Sequence, residues 1–358
     1  MYSSPETGVK LTAENVVITT GGILANYLLL STLAGPGDHV ICQYPTFSQL
    51  FLVPQFQGAE VSFWKLKRGP NSWEASLDEL KALVKPNTKA VIIKYTSLLF
   101  PSPTTTRPKL TPFPLSSNPN NPTGAVLPAS TLSALIALAA SHPNLTLVSD
   151  EVFRPLFHAS PSTPASPPPS LLSLPNPNPT PNTAVTTSMS KAFGLPGIRL
   201  GWVASPNLAL LRRIMSNRNY TTHSVSQLDQ AVAAYTLSPA VYPQIIAKNL
   251  AICAKGIEVI GEFVERNKDR VEWISPQGAG VAIVRFKGKC GKAVDDGRFA
   301  EGLVEETGVM VIPVGRTFGQ PEGGDEGLKG YVRIGLGVRE DVLRGALREV
   351  EGYLGRFE

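Results

Sequence analysis

The sequence contains few cysteines and few charged residues. Its three cysteines, Cys42, Cys253 and Cys290, lie far apart and form no C-x-x-C pair, which excludes a disulfide scaffold and favours a reducing intracellular compartment. Charged residues make up 17% of the 358 positions and hydrophobic residues 42%, and this balance excludes a disordered chain. A chain of this length and composition is expected to form about two domains with substantial cores.

Clusters of basic residues and long apolar runs are also missing. The formal net charge is +5, but the basic residues are scattered and never form a run of five, so we predict no nucleic-acid partner. The longest apolar stretches fall short of the roughly 20 residues that a spanning helix needs. The first ten residues, MYSSPETGVK, have the features of neither a signal peptide nor a transit peptide. We therefore predict a cytoplasmic protein with no membrane partner, and we predict no metal site.

Short apolar runs alternate with helix-like segments through the first part of the chain. The predicted strands are 15–19, 39–43, 89–94 and 145–149, and the predicted helices are 23–33, 76–84 and 132–140. This alternation favours an α/β fold with a mostly parallel sheet sandwiched between helices.

The pattern changes in the last third of the chain. Two long helices are predicted at 227–237 and 242–267, and strand-like pieces follow at 280–286, 309–314 and 331–335. We therefore place a boundary near Ser238 and Pro239, which gives a large domain at 1–238 and a smaller C-terminal α+β domain at 239–358.

Two proline-rich segments interrupt this plan. Residues 100–114 contain five prolines and residues 160–182 contain nine, a composition that forms neither a helix nor a central strand. We expect both to be surface loops, which are either functional lids or inert insertions. We favour insertions.

Three local patterns point to chemistry. Lys191 lies in TTSMSKAFGLPGIRLGW, between a Ser-rich strand-like run and a Gly-rich exit. A lysine that loses water there could act as a nucleophile or form a Schiff base, although an ordinary loop lysine is the alternative. Asn121 lies in NPNNPTG ahead of a proline bend, and Asp150 ends the apolar run LTLVS. Ligands bind beyond the carboxyl ends of parallel strands, which is where Asp150 is expected.

These segments and three others occur in an order that resembles a known enzyme family. The motifs are TTGG, PTF, NPNNPTG, DEVF, SMSK with GIR, and YVRIG. They cover most of the chain and resemble the fold-type I pyridoxal-phosphate enzymes of the class I/II aminotransferase family. Stretches such as HVICQYPTFSQL and NYTTHSVS are similar to the capreomycidine-synthase-like subgroup and related aminotransferases.

The resemblance implies a reaction, a cofactor and an assembly. The reaction is transfer of an amino group from an L-amino acid to a 2-oxo acid, by a ping-pong route through pyridoxamine phosphate. The cofactor is pyridoxal 5′-phosphate, which performs the electron-withdrawing chemistry. Active sites of the family lie at a subunit interface, so the resemblance also implies a homodimer.

The resemblance assigns the reacting and ring-binding residues. Lys191 would hold the cofactor as an internal aldimine and later move the proton at the substrate Cα. Asp150 would pair with the protonated pyridine nitrogen. Asn121 would donate to the phenolic oxygen and border the substrate. Phe47 would stack on the pyridine ring, and Arg333 would grip the substrate carboxylate by a planar two-point contact.

The resemblance also implies a phosphate site. Gly21 and Gly22 open a helix after a strand, so their N–H groups and the helix dipole suit an anion. Ser188, Ser190 and Arg199 match the remaining phosphate ligands of the family.

Two departures from the family are visible. Phe153 replaces the usual tyrosine, so one hydrogen bond to the phenolic oxygen is lost and we expect a higher aldimine pKa than in relatives that keep the tyrosine. The segment that relatives carry before the strand at Asn15 is absent, so we expect a fragment or a truncated gene product that could aggregate. The insert before NPNNPTG would fit faulty splicing.

Other functions use the same features. A lyase, racemase or cyclase would use the same Lys191, Asp150 and Arg333, and the motifs do not separate these reactions from transamination. An inactive aminotransferase homologue is a further alternative. A cofactor-binding transcription regulator is disfavoured because no helix-turn-helix segment precedes Asn15.

Overall fold

A seven-stranded sheet and a four-stranded sheet form the framework of the protein. The structure is a computed structural model, and it describes residues 10–94, 119–127, 129–158, 169–177, 182–319 and 326–357. The strands are β1 (Val16–Thr19), β2 (His39–Tyr44), β3 (Glu60–Lys65), β4 (Lys67–Arg68), β5 (Trp73–Glu74), β6 (Thr88–Ile93), β7 (Thr146–Asp150), β8 (Thr183–Ser188), β9 (Gly201–Ala204), β10 (Val271–Trp273), β11 (Val281–Phe286), β12 (Ile312–Pro313) and β13 (Tyr331–Gly335).

Helices cover both sheets. They are α1 (Gly22–Leu33), α2 (Gln49–Phe56), α3 (Leu77–Leu83), α4 (Ala129–Ala140), α5 (Leu208–Asn219), α6 (Gln227–Thr236), α7 (Tyr242–Arg266), α8 (Asp296–Thr307), α9 (Val314–Phe318) and α10 (Glu340–Arg356). None of the helices in the described part of the chain has both the length and the apolar character needed to cross a bilayer.

The large sheet has the order β1-β9-β8-β7-β6-β2-β3. Its strands are parallel except for β9, which pairs antiparallel with both neighbours. Strands β2, β7 and β8 are buried along their whole length, as expected of parallel strands with helices on both faces. The predicted α/β class with a mostly parallel sheet is confirmed.

The carboxyl ends of the parallel strands lie at one edge of the large sheet, and helix α1 begins at the same edge. Strand β1 ends at Thr19, and Gly21, with a φ of +88°, precedes the first residue of the helix. Glycine adopts this φ without the steric cost that other residues have. The helix N-terminus is therefore directed toward the edge where β7 and β8 end.

The small sheet has the order β10-β11-β13-β12, and all its pairs are antiparallel. Helices α7 and α10 pack against each other, and α8 packs against α10. The predicted strand at 309–314 is wrong in extent, because only Ile312 and Pro313 pair with β13 and Val314 already begins α9. The physical reason is a tertiary contact: Gly315 N donates to Asp296 Oδ2 of α8 at 2.9 Å, and this bond fits the helical turn that begins at Val314.

The second proline-rich segment is only partly a surface loop. Within 160–182, residues 169–177 and 182 are described, and Leu171–Ser173 forms one 3-10 turn in which Leu171 and Leu172 are buried. Ser170 Oγ donates to Glu151 Oε2 at 2.9 Å, and Leu171 N donates to Glu151 Oε1 at 3.1 Å. The prediction of a surface loop is therefore wrong for this part, because Leu171 and Leu172 are buried next to the buried carboxylate of Glu151.

Two further predictions, the loop at 100–114 and the domain boundary, are not tested by the structure. The first proline-rich segment, 100–114, lies outside the described residues. Ser238 and Pro239 lie in the connection between α6 and α7, and the domain boundary placed there stays a prediction.

Candidate active site

A cavity of about 640 Å³ opens at the carboxyl edge of the large sheet. Residues from both sheets line it, because Arg333 of β13 faces the ends of β7 and β8. Nine of the ten predicted site residues line this one cavity: Gly22, Phe47, Asn121, Asp150, Ser188, Ser190, Lys191, Arg199 and Arg333. The tenth, Gly21, contacts Arg199, since a Cβ on Gly21 would lie 2.7 Å from its Nη2.

One end of the cavity is a positively charged cradle. The N-terminus of the 12-residue helix α1 lies there, with its free N–H groups and its positive dipole end. Ser188 Oγ donates to Ser190 Oγ at 2.9 Å, and Arg199 Nη1 lies 3.5 Å from the same Ser190 oxygen. Arg199 has a φ of 46°, and its Nη1 also donates to Pro196 O at 2.9 Å, which fixes the guanidinium. The donors and charge of this cradle suit an anion with several oxygens.

Asp150 is buried at the other end, at the last position of β7. Its Oδ1 accepts a hydrogen bond from Val152 N at 3.1 Å. Its Oδ2 accepts one from Lys94 Nζ at 2.9 Å and a longer one from Asn26 Nδ2 at 3.4 Å. Thr186 Oγ1 in turn donates to Asn26 Oδ1 at 2.5 Å. The carboxylate is thus held in one orientation by an ion pair and two amides.

Lys191 lies in the turn that follows β8 and lines the cavity. The residue is exposed to solvent, but its amine is partly surrounded by protein. Partial loss of water around the amine lowers the pKa of Lys191, and the positive charges of Arg333, Lys94 and Arg199 lower it further. The negative charge of Asp150 opposes this effect. A lower pKa increases the fraction of neutral, nucleophilic amine near neutral pH.

Arg333 and Asn121 both line the cavity and are hydrogen-bonded to each other. Arg333 is half-buried, and its Nη1 donates to Asn121 Oδ1 at 2.9 Å. Its guanidinium carbon lies 4.9 Å from the ring centroid of Phe318, a distance typical of a cation–π contact. Burial lowers the pKa of Arg333, yet arginine stays protonated at any pH at which the protein folds.

Two side chains that contact Asp150 are not predicted as site residues from the sequence. Lys94, directly after β6, and Asn26, on α1, both contact the carboxylate of Asp150. The signal that could have identified Lys94 is the one that identified Asp150, a charged residue at the end of an apolar run. Nothing in the sequence around Asn26 distinguishes it from an ordinary helix residue.

The chain is similar to known proteins along nearly its whole length. A family model described as "Aminotransferase class I and II" matches residues 2–350. Capreomycidine synthase from Streptomyces vinaceus is 27% identical over 344 residues, which are 95% of this chain and 75% of that protein. The arginine–pyruvate transaminase of Pseudomonas aeruginosa is also 27% identical, with 96% of this chain and 75% of that protein covered.

Solved structures agree with this similarity. A pyridoxal-phosphate-dependent aminotransferase from Streptococcus suis superposes with a TM-score of 0.78 and 29% identity. The match covers 98% of this chain and 79% of that one.

Proposed function

This chain belongs to the aminotransferase class I and II family, and we propose that Lys191, Asp150 and Arg333 carry its amino-group transfer. The protein is a pyridoxal-phosphate-dependent aminotransferase, and its substrates are an amino acid and a 2-oxo acid. One observation supports the residue assignment above all others. A single cavity contains a lysine with a lowered pKa, a buried carboxylate, a half-buried guanidinium and a cationic cradle at a helix N-terminus.

The chemistry of the cradle fits the cofactor phosphate. The N–H groups that begin α1, the hydroxyls of Ser188 and Ser190, and the guanidinium of Arg199 are all donors or positive charges. Gly21 leaves room for that guanidinium, because a Cβ would lie within 3 Å of it. These residues would hold the phosphate.

The other end of the cavity fits the cofactor ring. When bound, the cofactor supplies an aldehyde for an amine and a ring that withdraws electrons from the substrate Cα. Asp150 would hold the ring nitrogen, because a buried carboxylate favours a protonated partner. Phe47 is half-buried at the cavity wall and would cover one face of the ring. Asn121 would contact the phenolic oxygen.

Lys191 and Arg333 would act on the substrate. The amine of Lys191 would hold the cofactor aldehyde and afterwards remove and return the proton at the substrate Cα. Arg333 would bind the α-carboxylate, since a guanidinium matches a carboxylate by two parallel hydrogen bonds. Arg333 Nη1 donates to Asn121 Oδ1, and this bond orients the guanidinium plane. Family membership favours transamination over lyase or cyclase chemistry at the same residues.

A homodimer is the assembly we propose. Large apolar side chains are exposed on α1, α2, α5 and α6, and α1 packs against α2 and α5. They include Ile23, Tyr27, Leu52, Phe56, Met215, Leu228, Val232 and Tyr235. A contiguous apolar surface is typical of an interaction site. The packing of α1 against α2 and α5 makes the residues of these three helices neighbours, and Ile23 also lines the cavity.

We also propose a cytoplasmic location. The three cysteines are unpaired, as is typical of proteins in a reducing compartment. Cell fractionation tests this location.

An absorbance experiment tests the assignment of Lys191. Purified protein is mixed with pyridoxal phosphate, its spectrum is recorded, and a panel of L-amino acids is then added. We expect a visible band that an amino acid donor converts to the spectrum of pyridoxamine phosphate. Lys191→Ala should lack the band, whereas Lys248→Ala, which removes an exposed lysine of α7, should keep it. A band that persists in Lys191→Ala would contradict the assignment.

A further inference from the structure

Lys94 is a buried lysine to which the proposed mechanism assigns no contact with the cofactor or the substrate. Its side chain is 2% exposed, and its Nζ lies 2.9 Å from Oδ2 of Asp150, which is 1% exposed. Its backbone is also fixed, because Lys94 N donates to Gln43 Oε1 at 2.6 Å and the Asn120 amide donates to Lys94 O. A buried ammonium is unfavourable unless a partner compensates its charge. Asp150 is that partner.

The ammonium lies inside the cavity where the cofactor ring is expected. Lys94 lines the same cavity as Lys191. Its Nζ is 5.8 Å from the ring centroid of Phe47 and 5.8 Å from that of Phe153. It therefore makes, from within the chain, the contacts expected of a pyridinium: a charge-assisted hydrogen bond to Asp150 and attraction to neighbouring aromatic rings.

The remaining acceptor positions of Asp150 offer little space for a second cation. Val152 N occupies Oδ1, and Asn26 Nδ2 approaches Oδ2 beside the ammonium. Two positive groups on the same carboxylate oxygen would also repel each other in a site of low dielectric.

We propose that the Lys94 ammonium occupies the place of the cofactor's ring nitrogen on Asp150 in the cofactor-free protein, and that the cofactor displaces it on binding. The inference rests on the proposed assignment of Asp150 to the ring nitrogen. Its consequence is a competition: the free energy of the Lys94–Asp150 ion pair is subtracted from the free energy of cofactor binding. Removing the charge of Lys94 leaves Asp150 with the ring nitrogen as its best remaining partner.

Equilibrium dialysis with pyridoxine 5′-phosphate tests this competition. This analogue carries an alcohol in place of the aldehyde, so its affinity does not depend on a covalent link to Lys191. Lys94→Met keeps the length of the side chain and removes the charge, and we expect it to bind the analogue about tenfold more tightly than wild type. Lys89→Met is the matched control on β6, because its amine lies 3.8 Å from Asp38 outside the cavity, and its affinity should not change.

A stability measurement separates competition from a purely structural role. Without the analogue, Lys94→Met should unfold at a lower temperature than wild type, because Asp150 loses its cation. At a saturating analogue concentration the difference should narrow, since the variant gains more from binding. A structural role alone would leave the difference unchanged. Lys94→Gln, which keeps a donor beside Asp150 without the charge, provides the same test if the methionine variant does not fold.

The outcomes are distinguishable. In one outcome wild type binds the analogue, and folded Lys94→Met or Lys94→Gln binds it equally well or more weakly. That result overturns the proposed displacement of Lys94 but leaves the proposed site intact. If wild type and both variants fail to bind the analogue, the assignment of the cavity itself is wrong, and the inference is overturned with it.

Discussion

Arg333 donates a hydrogen bond from its Nη1 to Oδ1 of Asn121 across 2.9 Å, although 212 positions separate the two residues in the chain. Arg333 belongs to the four-stranded sheet, whereas Asn121 lies in a turn beside the seven-stranded sheet. This contact joins the proposed carboxylate-binding residue to a proposed cofactor-binding residue. The proposed substrate site therefore depends on how the two sheets are held together.

Arg333→Lys should weaken substrate binding. A lysine keeps the positive charge but cannot make two parallel hydrogen bonds to a carboxylate. Losing one charge-assisted hydrogen bond should lower kcat/KM for the amino acid by roughly 10- to 100-fold, mainly through a higher KM. Arg285→Lys is the control, because Arg285 lies on the neighbouring β11 and its Nη1 pairs with Glu272 instead. Steady-state kinetics of both variants test this prediction. A wild-type KM for Arg333→Lys would refute the proposed role of Arg333 in binding the substrate carboxylate.

Gly21→Ala should lower cofactor affinity as well as stability. Gly21 has a φ of +88°, and a Cβ there would lie 2.7 Å from Arg199 Nη2, so the guanidinium must move. Gly37 has a similar φ of +83°, but a Cβ at that position would meet no other atom within 4 Å. Both alanine variants should lose about 1–3 kcal/mol of stability from backbone strain.

Only the Gly21 variant should lose cofactor affinity, by roughly tenfold, because only its added Cβ would displace Arg199, a proposed phosphate ligand. Dialysis against pyridoxal phosphate and thermal unfolding measure the two effects separately. Equal cofactor affinities for the two alanine variants would show that Arg199 does not depend on the space beside Gly21.

Glu272 should make stability depend on acid pH. Burial opposes the charge of Glu272, but hydrogen bonds and positive charge from Arg68, together with Arg285 and Lys287, outweigh it and lower its pKa from 4.5 to about 2. A carboxyl whose pKa is lower in the folded state stabilises the protein above its unfolded pKa. That stabilisation is complete above pH 4.5 and is lost as the pH falls toward 2.

Glu272→Gln should therefore be less stable than wild type near neutral pH, and the difference should shrink between pH 4.5 and 2. Urea unfolding at a series of pH values measures this. Glu258→Gln, which removes an exposed pair with Lys255, should change the midpoint little at any of these values. A constant gap between Glu272→Gln and wild type down to pH 2 would contradict the ion-pair explanation.

The proposed dimer can be tested on α6. Leu228 and Tyr235 are large, apolar and exposed on this helix. A glutamate at either position should oppose association, because a charge in a closed interface loses water without gaining a partner. Sedimentation equilibrium should find wild type as a dimer and Leu228→Glu or Tyr235→Glu as a monomer. Met310→Glu, at an exposed site beside the small sheet, should stay dimeric, and a monomeric wild type would refute the proposal.

Several features of the fold follow from short stretches of the sequence. The apolar run before Asp150 is sufficient for a buried strand, and a buried parallel strand must end at the edge where ligands bind. The paired glycines after β1 are sufficient for a turn and a helix N-terminus. Such signals act over short stretches, so the class of fold and several of the strands could be predicted from the sequence. The assignment of the site residues came from the order of the motifs and remains a proposal.

Contacts between distant segments were decided by the tertiary structure alone. The pairing of Lys94 with Asp150 requires β6 and β7 to be neighbours in the sheet. The bond between Arg333 and Asn121 requires the small sheet to face the large one. The burial of Leu171 and Leu172 within a proline-rich segment requires Glu151 as a partner for the neighbouring backbone. Local propensity does not determine which distant groups meet, because that choice depends on the packing of the whole core and on the compensation of every buried charge.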